Sequence, residues 1–196
     1  LHPAMGFTGS ASDTQHLSGC GWGVTTDSEV GEAVADVLVQ SLGGVPIPIE
    51  EDARPAYHAA MAHAANHLVT LISDAHTMVN VVLGKPASQQ AIASEGEKSE
   101  ARLLLGNIVR AGADSALRRH AAALTGPASR DDAATVVAHL DALRERGANA
   151  PDAEAHNLEL RYLPMSERTA QLAGSTEVER ALMAYRSEHG LPGGLV

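Results

Sequence analysis

Residues 51–86, EDARPAYHAAMAHAANHLVTLISDAHTMVNVVLGKP, decide the fold class of this 196-residue chain. Apolar residues recur along the stretch with the period of an α-helix. Acidic residues and Pro55 stand near its start, and Gly84 and Pro86 follow its end, as is typical of helix boundaries. The stretch is therefore predicted to form one long helix.

The rest of the C-terminal part has the same helical pattern. Further helices are predicted at about residues 98–123, 131–146, 153–173 and 176–188. Ser129 with Asp132 matches a capping box that opens the third of the five helices, and ANAPD (148–152) is predicted to be a loop. Residues 51–196 are thus expected to form an all-helical domain, and the chain to be mainly α.

Residues 1–50 have a different pattern. A turn at His2-Pro3 is followed by a predicted strand in GCGWGVTTD (19–27), and Thr26 with Glu29 matches a capping box before a helix that ends at Gly43-Gly44. VPIPI (45–49) is predicted to be an edge strand, because its prolines cannot donate hydrogen bonds within a sheet. Two strands and one helix are too few for an independent sheet. We therefore expect residues 1–50 to be the end of a larger α/β domain whose other strands lie upstream of Leu1.

Composition limits the possible partners and compartments. A net charge of −10 argues against binding to nucleic acid or to anionic membranes, both of which require clustered basic residues. The single Cys20 excludes an intrachain disulfide and a cysteine-based zinc site, which fits a reducing, cytoplasmic location. No apolar run approaches the ~18 residues of a membrane span.

Polar residues on the long helix allow three interpretations. The first is a solvated face of an amphipathic helix. The second is a metal site of His63, His67 and Asp74, which we do not favour because the carboxylate is nearly three turns from His63 and no HExxH motif is present. The third concerns Tyr57, His58 and Asn66 near the strand-to-helix junction, where α/β domains bind ligands and where such groups could polarise a carbonyl or transfer a proton.

Three stretches together resemble a known bacterial family: HPAMGFTG (2–9), PAYHAAMAHAANHLVTL (55–71) and ALTGPASRDDAATVVAHL (123–140). That family has a Rossmann-like N-terminal domain and a helical C-terminal part catalogued as a domain of unknown function. It is similar to the group containing 6-phosphogluconate dehydrogenase, pyrroline-carboxylate reductase and ketopantoate reductase. The resemblance implies a Rossmann-like identity for residues 1–50 and a dimerisation and substrate domain, 6-phosphogluconate dehydrogenase C-terminal-like, for residues 51–196.

The resemblance also implies an activity, the NAD(P)-dependent reduction of a small 2-keto or imino acid, with a ketopantoate-like substrate as one candidate. NADP or NAD would be bound mainly by residues outside this chain, and the helical domain would form a homodimer. The family's shared residues fall here on His2, Pro3, Tyr57, His58, Asn66, Thr125, Gly126, Pro127, Arg130, Asp132 and Thr135. Of these, His58, Asn66 and Tyr57 are expected to be catalytic, and His2, Pro3, Arg130 and Thr125 to bind substrate.

Two departures from the wider group leave an alternative open. Many of its hydroxyacid dehydrogenases have a lysine four residues before the asparagine, where this chain has Ala62, so His58 or Tyr57 would have to replace that proton donor. The chain also contains no GxGxxG motif, the phosphate-binding signature of dinucleotide folds. The alternative is a non-enzymatic helical dimerisation or binding module that lacks a nucleotide site.

Two expected substrate-binding residues also have structural interpretations. TGPASRDD (125–132) could be a turn and a helix cap with a solvated Arg130, or Arg130 could bind a substrate carboxylate with its planar guanidinium. His2 could stabilise a turn or form an active-site wall. Separately, an apolar surface of Leu103, Leu104, Ile108 and Val109 on the second long helix predicts a C2 dimer.

Overall fold

The computed structural model describes residues 1–87 and 99–194. The chain is mainly helical with a small three-stranded sheet, which confirms the predicted fold class at this level. It divides into two compact units, Leu1–Thr70 and Leu71–Val196. None of the helices in the two described ranges combines the length and apolar character needed to span a membrane.

The strands are β1 (His2–Pro3), β2 (Gly21–Val24) and β3 (Val45–Pro48). The helices are α1 (Asp13–His16), α2 (Glu29–Ser41), α3 (Arg54–Val82), α4 (Glu100–Arg119), α5 (Ala133–Ala148), α6 (Leu158–Ala173) and α7 (Thr176–Glu188). Short 3-10 helices cover His120–Ala123, Ala128–Arg130 and Ala153–Ala155. The predicted long helix is confirmed as α3, and the predicted start of the next helix near Lys98 lies outside the described residues.

The sheet of the first unit has the order β1-β2-β3. β1 pairs with β2 in an antiparallel manner, with His2 opposite Gly23, and β2 pairs with β3 in parallel. The prediction of a turn at His2-Pro3 was wrong, because these residues form a third strand against β2. β3 lies at an edge of this sheet, as its prolines predict.

A small core joins α2 to the sheet. Trp22 and Val24 of β2 pack with Ala35 and Val39 of α2, and Val39 is fully buried. The cap of α2 is Ser28, whose hydroxyl group accepts a hydrogen bond from the Gly31 amide at 3.2 Å. The predicted cap at Thr26 was therefore wrong. The other large aliphatic residues of α2 and of its C-cap are exposed: Val30, Val34, Val37, Leu38 and Leu42.

The second unit has its own core where α5, α6 and α7 pack together. The largest buried side chains there are Leu140, Leu163 and Leu182. A nearly buried ion pair joins α7 to α6, since Nη2 of Arg186 donates to Oε2 of Glu167 at 2.9 Å. α6 begins at Leu158, later than predicted, because residues 153–155 form a separate 3-10 turn.

The loop of residues 125–132 caps two helices of this unit. Asp132 is the N-cap of α5 and accepts hydrogen bonds from the amide and hydroxyl groups of Thr135, at 3.1 and 2.7 Å. Asp131 has a left-handed backbone (φ 55°), and its Oδ1 accepts a hydrogen bond from the Val178 amide of α7 at 2.9 Å. Ser129 donates to the Gly126 carbonyl instead of capping α5, so its assignment to a capping box was wrong.

Candidate active site at the strand ends

Three predicted site residues meet in the first unit. His2 lies in β1, while Tyr57 and His58 lie in the first turns of α3. Nδ1 of His2 is hydrogen bonded to the hydroxyl group of Tyr57 at 2.9 Å, and the His2 ring lies edge-on to both neighbours, with centroid distances of 5.5 Å to Tyr57 and 6.2 Å to His58. The structure thus forms an imidazole–phenol pair with a second imidazole beside it.

This pair lines two cavities of the first unit. The smaller, of about 100 Å³, is lined by Leu1, His2, Gly23, Thr25, Ile49, Arg54 and Tyr57. Thr25 directly follows β2 and Ile49 directly follows β3, so this cavity lies at the carboxyl ends of the two parallel strands. The larger cavity, of about 410 Å³, is lined by His2, Glu51, Arg54, Pro55, Tyr57 and His58. We call His2, Arg54, Tyr57 and His58 the strand-end site.

The sequence interpretation missed Arg54. This residue begins α3 and lines both cavities. Its guanidinium group forms an exposed ion pair with Glu51 at 3.3 Å, and an exposed pair of this kind is weak enough for an anionic ligand to compete with it. Tyr57 was selected because it lies near the strand-to-helix junction. Arg54 lies one turn earlier, directly before Pro55, so the same argument could have predicted it as a site residue.

Comparison with protein families identifies the chain. The model of a domain of unknown function, DUF2520, matches residues 20–169. The chain belongs to the DUF2520 family. The matched region includes Arg54, Tyr57 and His58 but not His2.

A solved structure is similar in fold to this DUF2520 chain. Protein TM1727 from Thermotoga maritima aligns with a TM-score of 0.63 and 21% sequence identity, over 89% of this chain and 61% of that one. The chain thus spans less than two thirds of the length of its structural neighbour. A search of curated proteins found no match.

The other predicted site residues of the DUF2520 chain lie elsewhere. Asn66 is exposed on α3, about two and a half turns beyond Tyr57, and is not among the residues that line the two strand-end cavities. Pro3 is half-buried in β1, next to His2. Thr125 and Arg130 are exposed in the second unit, and both belong to the loop of residues 125–132. Their roles in substrate binding and catalysis stay predictions.

Arg130 has an electrostatic effect within that loop. The pKa of Asp132 is lowered, first by the hydrogen bond from the Thr135 hydroxyl group, then by the Thr135 amide, and further by the positive charge of Arg130. Arg130 thus acts on the N-cap of α5 through its charge, and its own side chain is exposed, as in the interpretation of a solvated Arg130.

His63 and His67 of α3 form a pair, which Asp74 does not join. Nδ1 of His67 lies 2.8 Å from Nδ1 of His63, so one ring donates its proton to the other. Asp74 is instead ion-paired with Arg161 at 3.0 Å. In residues 1–87 and 99–194 no three His, Cys, Asp or Glu side chains are grouped as a metal site would require.

The turn between β2 and α2 does not suit the phosphates of a dinucleotide. A dinucleotide fold offers free amides and glycines at this position. Here the Ser28 hydroxyl group accepts the Gly31 amide, and Glu29 and Glu32 place negative charge in the first turn of the helix. This turn therefore does not offer the free amides that the phosphates of NAD or NADP need.

Proposed function

We propose that this chain is the substrate-binding part of an NAD(P)-dependent reductase of a small 2-keto or imino acid. The supporting observation is the strand-end site, because α/β domains bind ligands outside the carboxyl ends of their parallel strands. The resemblance to the group of 6-phosphogluconate dehydrogenase, pyrroline-carboxylate reductase and ketopantoate reductase supports the same reaction class. A ketopantoate-like acid is one candidate substrate.

Each residue of the strand-end site has a role in this proposal. The guanidinium group of Arg54 binds the substrate carboxylate, since its donors match the geometry of a carboxylate. When Nδ1 of His2 is protonated, His2 donates to the Tyr57 oxygen and leaves the phenol proton free to point into the cavity. Tyr57 then donates its proton to the substrate oxygen or nitrogen, and His58 forms the wall beside it.

The strand-end site is not assigned to binding of the nucleotide. The turn between β2 and α2 does not suit its phosphates, so in this proposal NAD or NADP is bound mainly by residues outside these 196. We assign to this chain only the binding of the acid, its orientation and the supply of a proton.

The test is oxidation of NADPH or NADH by the full-length protein with ketopantoate, pyruvate and pyrroline-5-carboxylate. Tyr57→Phe should lower kcat by about 100-fold or more, as expected for the loss of a general acid. Arg54→Gln should mainly raise KM, because it removes the carboxylate ligand while leaving the proton donor in place.

Matched variants separate the site from general damage. Tyr162→Phe and Arg110→Gln make the same chemical changes in the second unit and should leave both kinetic constants unchanged. His58→Ala and Asn66→Ala test the remaining catalytic predictions, with turnover expected to fall more than thermal stability. Full activity in Tyr57→Phe would contradict the assigned proton donor.

One observation is equally consistent with the alternative function, a non-enzymatic dimerisation module. Large apolar residues of α4 are exposed, with exposed fractions of 58% for Leu103, 60% for Leu104 and 69% for Ile108. Such a surface suits a helical interface. A dimeric full-length protein that oxidises neither nucleotide with any acid of the panel would support this function over the reductase.

A further inference from the structure

A cavity in the second unit contains ionisable groups that the proposed reductase does not use. It has a volume of about 440 Å³, within the range of small-molecule sites. The chemically active residues in its lining are Arg144, His156, Glu159, Tyr185 and His189. They come from α5, α6, the segment before α6, and the end of α7 with the residue that follows it.

Two buried polar atoms of this lining have no hydrogen-bond partner. Oε2 of Glu159 and the hydroxyl oxygen of Tyr185 are buried, and none of the described residues forms a hydrogen bond with either. Glu159 is 8% exposed and Tyr185 is 3% exposed. A buried polar group without a partner costs free energy, and a buried carboxylate costs more than a neutral group. A ligand with a positively charged donor would satisfy Glu159.

Tyr185 and His189 are held in fixed positions. Nδ1 of His189 donates to the Tyr185 carbonyl at 2.8 Å, and the two rings lie 4.1 Å apart between centroids. Since a carbonyl can only accept, Nε2 of His189 is left for a ligand. Burial raises the pKa of the Tyr185 phenol, and Asp141 and Glu159 raise it further, against the opposite effect of Arg144. The phenol therefore keeps its proton and can donate it in a hydrogen bond.

The charges around the cavity select the ligand class. Glu159 would repel a simple anion such as phosphate, and Arg144 would repel a simple cation such as an alkylamine. A ligand that has both charges satisfies both residues. Glu159 lies in the first turn of α6, where the helix dipole favours a negative charge, and Arg144 is exposed on α5.

We infer that this cavity binds a small zwitterion, an α-amino acid, with its ammonium group on Glu159 and its carboxylate on Arg144. Tyr185 and Nε2 of His189 provide further hydrogen bonds in the cavity. The inference does not depend on the proposed reductase, because the strand-end site belongs to the other unit.

Isothermal titration of the full-length protein with each of the twenty L-amino acids tests this site. Methylammonium and acetate are titrated as control ligands, because each has only one of the two charged groups of an amino acid. At least one amino acid should bind with a Kd below about 1 mM, and both control ligands should bind at least tenfold more weakly. No binding by any amino acid, or acetate binding as tightly as the best amino acid, would overturn the inference.

Variants locate the binding. Glu159→Gln and Arg144→Gln should each weaken the best amino acid at least tenfold, whereas Arg146→Gln, an exposed neighbour on α5 that does not line the cavity, should not. Glu159→Gln removes a buried unpaired charge, so its melting temperature should equal or exceed that of the wild type, which separates loss of binding from unfolding. Wild-type affinity in Glu159→Gln, or loss of affinity in Arg54→Gln of the strand-end site, would show that the amino acid binds elsewhere.

Discussion

Gly23 and Tyr57 occupy adjoining space in the strand-end site. A Cβ atom at residue 23 would lie 2.9 Å from the Tyr57 hydroxyl oxygen and 3.0 Å from the ring carbon that bears it. Gly23 is also the β2 residue opposite His2. The absence of a side chain at position 23 therefore allows the phenol to lie against the sheet, within hydrogen-bond distance of the imidazole.

We predict that Gly23→Ala destabilises the protein by about 1–3 kcal/mol, the usual cost of forcing an extra carbon into a packed position. Tyr57→Ala should remove the clash, so the double variant should be more stable than the sum of the two single effects predicts. Urea unfolding of the four proteins measures this coupling. Gly6→Ala, where a Cβ atom would meet nothing within 4 Å, is the control. Additive effects would show that the phenol moves aside freely.

A second prediction concerns Asp131, which links the capping loop to α7. Its carboxylate accepts the Val178 amide, and its backbone is left-handed, a conformation that Asn tolerates and Ala does not. Asp131→Ala should therefore cost about 1–2 kcal/mol, comparable to the loss of a helix cap. Asp131→Asn, which retains an oxygen acceptor, should cost much less. Equal melting temperatures for the two variants would contradict this assignment.

A third prediction concerns acid stability through Asp13. Its carboxylate accepts the Thr8 hydroxyl group at 2.8 Å and the amides of Thr8 and Gly9 at 2.9 Å each. The Thr8 hydroxyl group is the largest of the effects that lower the Asp13 pKa; burial opposes it and the backbone amides add to it. A lowered pKa in the folded state stabilises the protein above the unfolded value of about 3.9 and stops doing so as the pH falls through the folded value.

The wild-type melting temperature should therefore fall as the pH decreases below about 4. Asp13→Asn should lose stability at pH 6 and show a smaller decrease between pH 6 and pH 2. Part of the decrease should persist in the variant, because the pKa of Asp132 is also lowered. Thermal denaturation at these two pH values measures the difference, and identical decreases in both proteins would contradict the role of Asp13.

Local sequence patterns predicted the elements well. The apolar period and the flanking Pro and Gly residues predicted α3, and the prolines of VPIPI predicted an edge strand. The N-cap residues of α2 and α5 were harder to predict, because two candidate capping residues lie close together in the sequence before each helix. Thr26 matches the capping box by spacing, yet Ser28 directly precedes the helix and bonds to the Gly31 amide.

Long-range contacts could not be derived from residue patterns, and only the family resemblance assigned His2 and Tyr57 to one site. His2 and Tyr57 are 55 positions apart; the pairing of β1 with β2 places His2 opposite Gly23, and the Tyr57 phenol of α3 lies against Gly23. The burial pattern of α2 was also hidden, because Ala35 and Val39 pack on the sheet while other aliphatic residues of the helix, among them Val34 and Leu38, are exposed. Glu159 could have been noticed, since a carboxylate next to Leu158 and on the buried side of α6 is unusual.

The last prediction tests the apolar face of α4. Ile108 is 69% exposed and lies one turn from Leu104, which is 60% exposed, and Leu103 beside them is 58% exposed. Exposed aliphatic residues at this spacing gain free energy when a second copy covers them, so the full-length protein should sediment as a dimer at micromolar concentration. Ile108→Asp should shift it to a monomer, because a buried unpaired carboxylate is costly, while Asn107→Asp adds the same charge next to it and should leave the dimer intact. A monomeric wild type would show that the protein has no such interface. A dimer that persists in Ile108→Asp would show that the interface lies elsewhere.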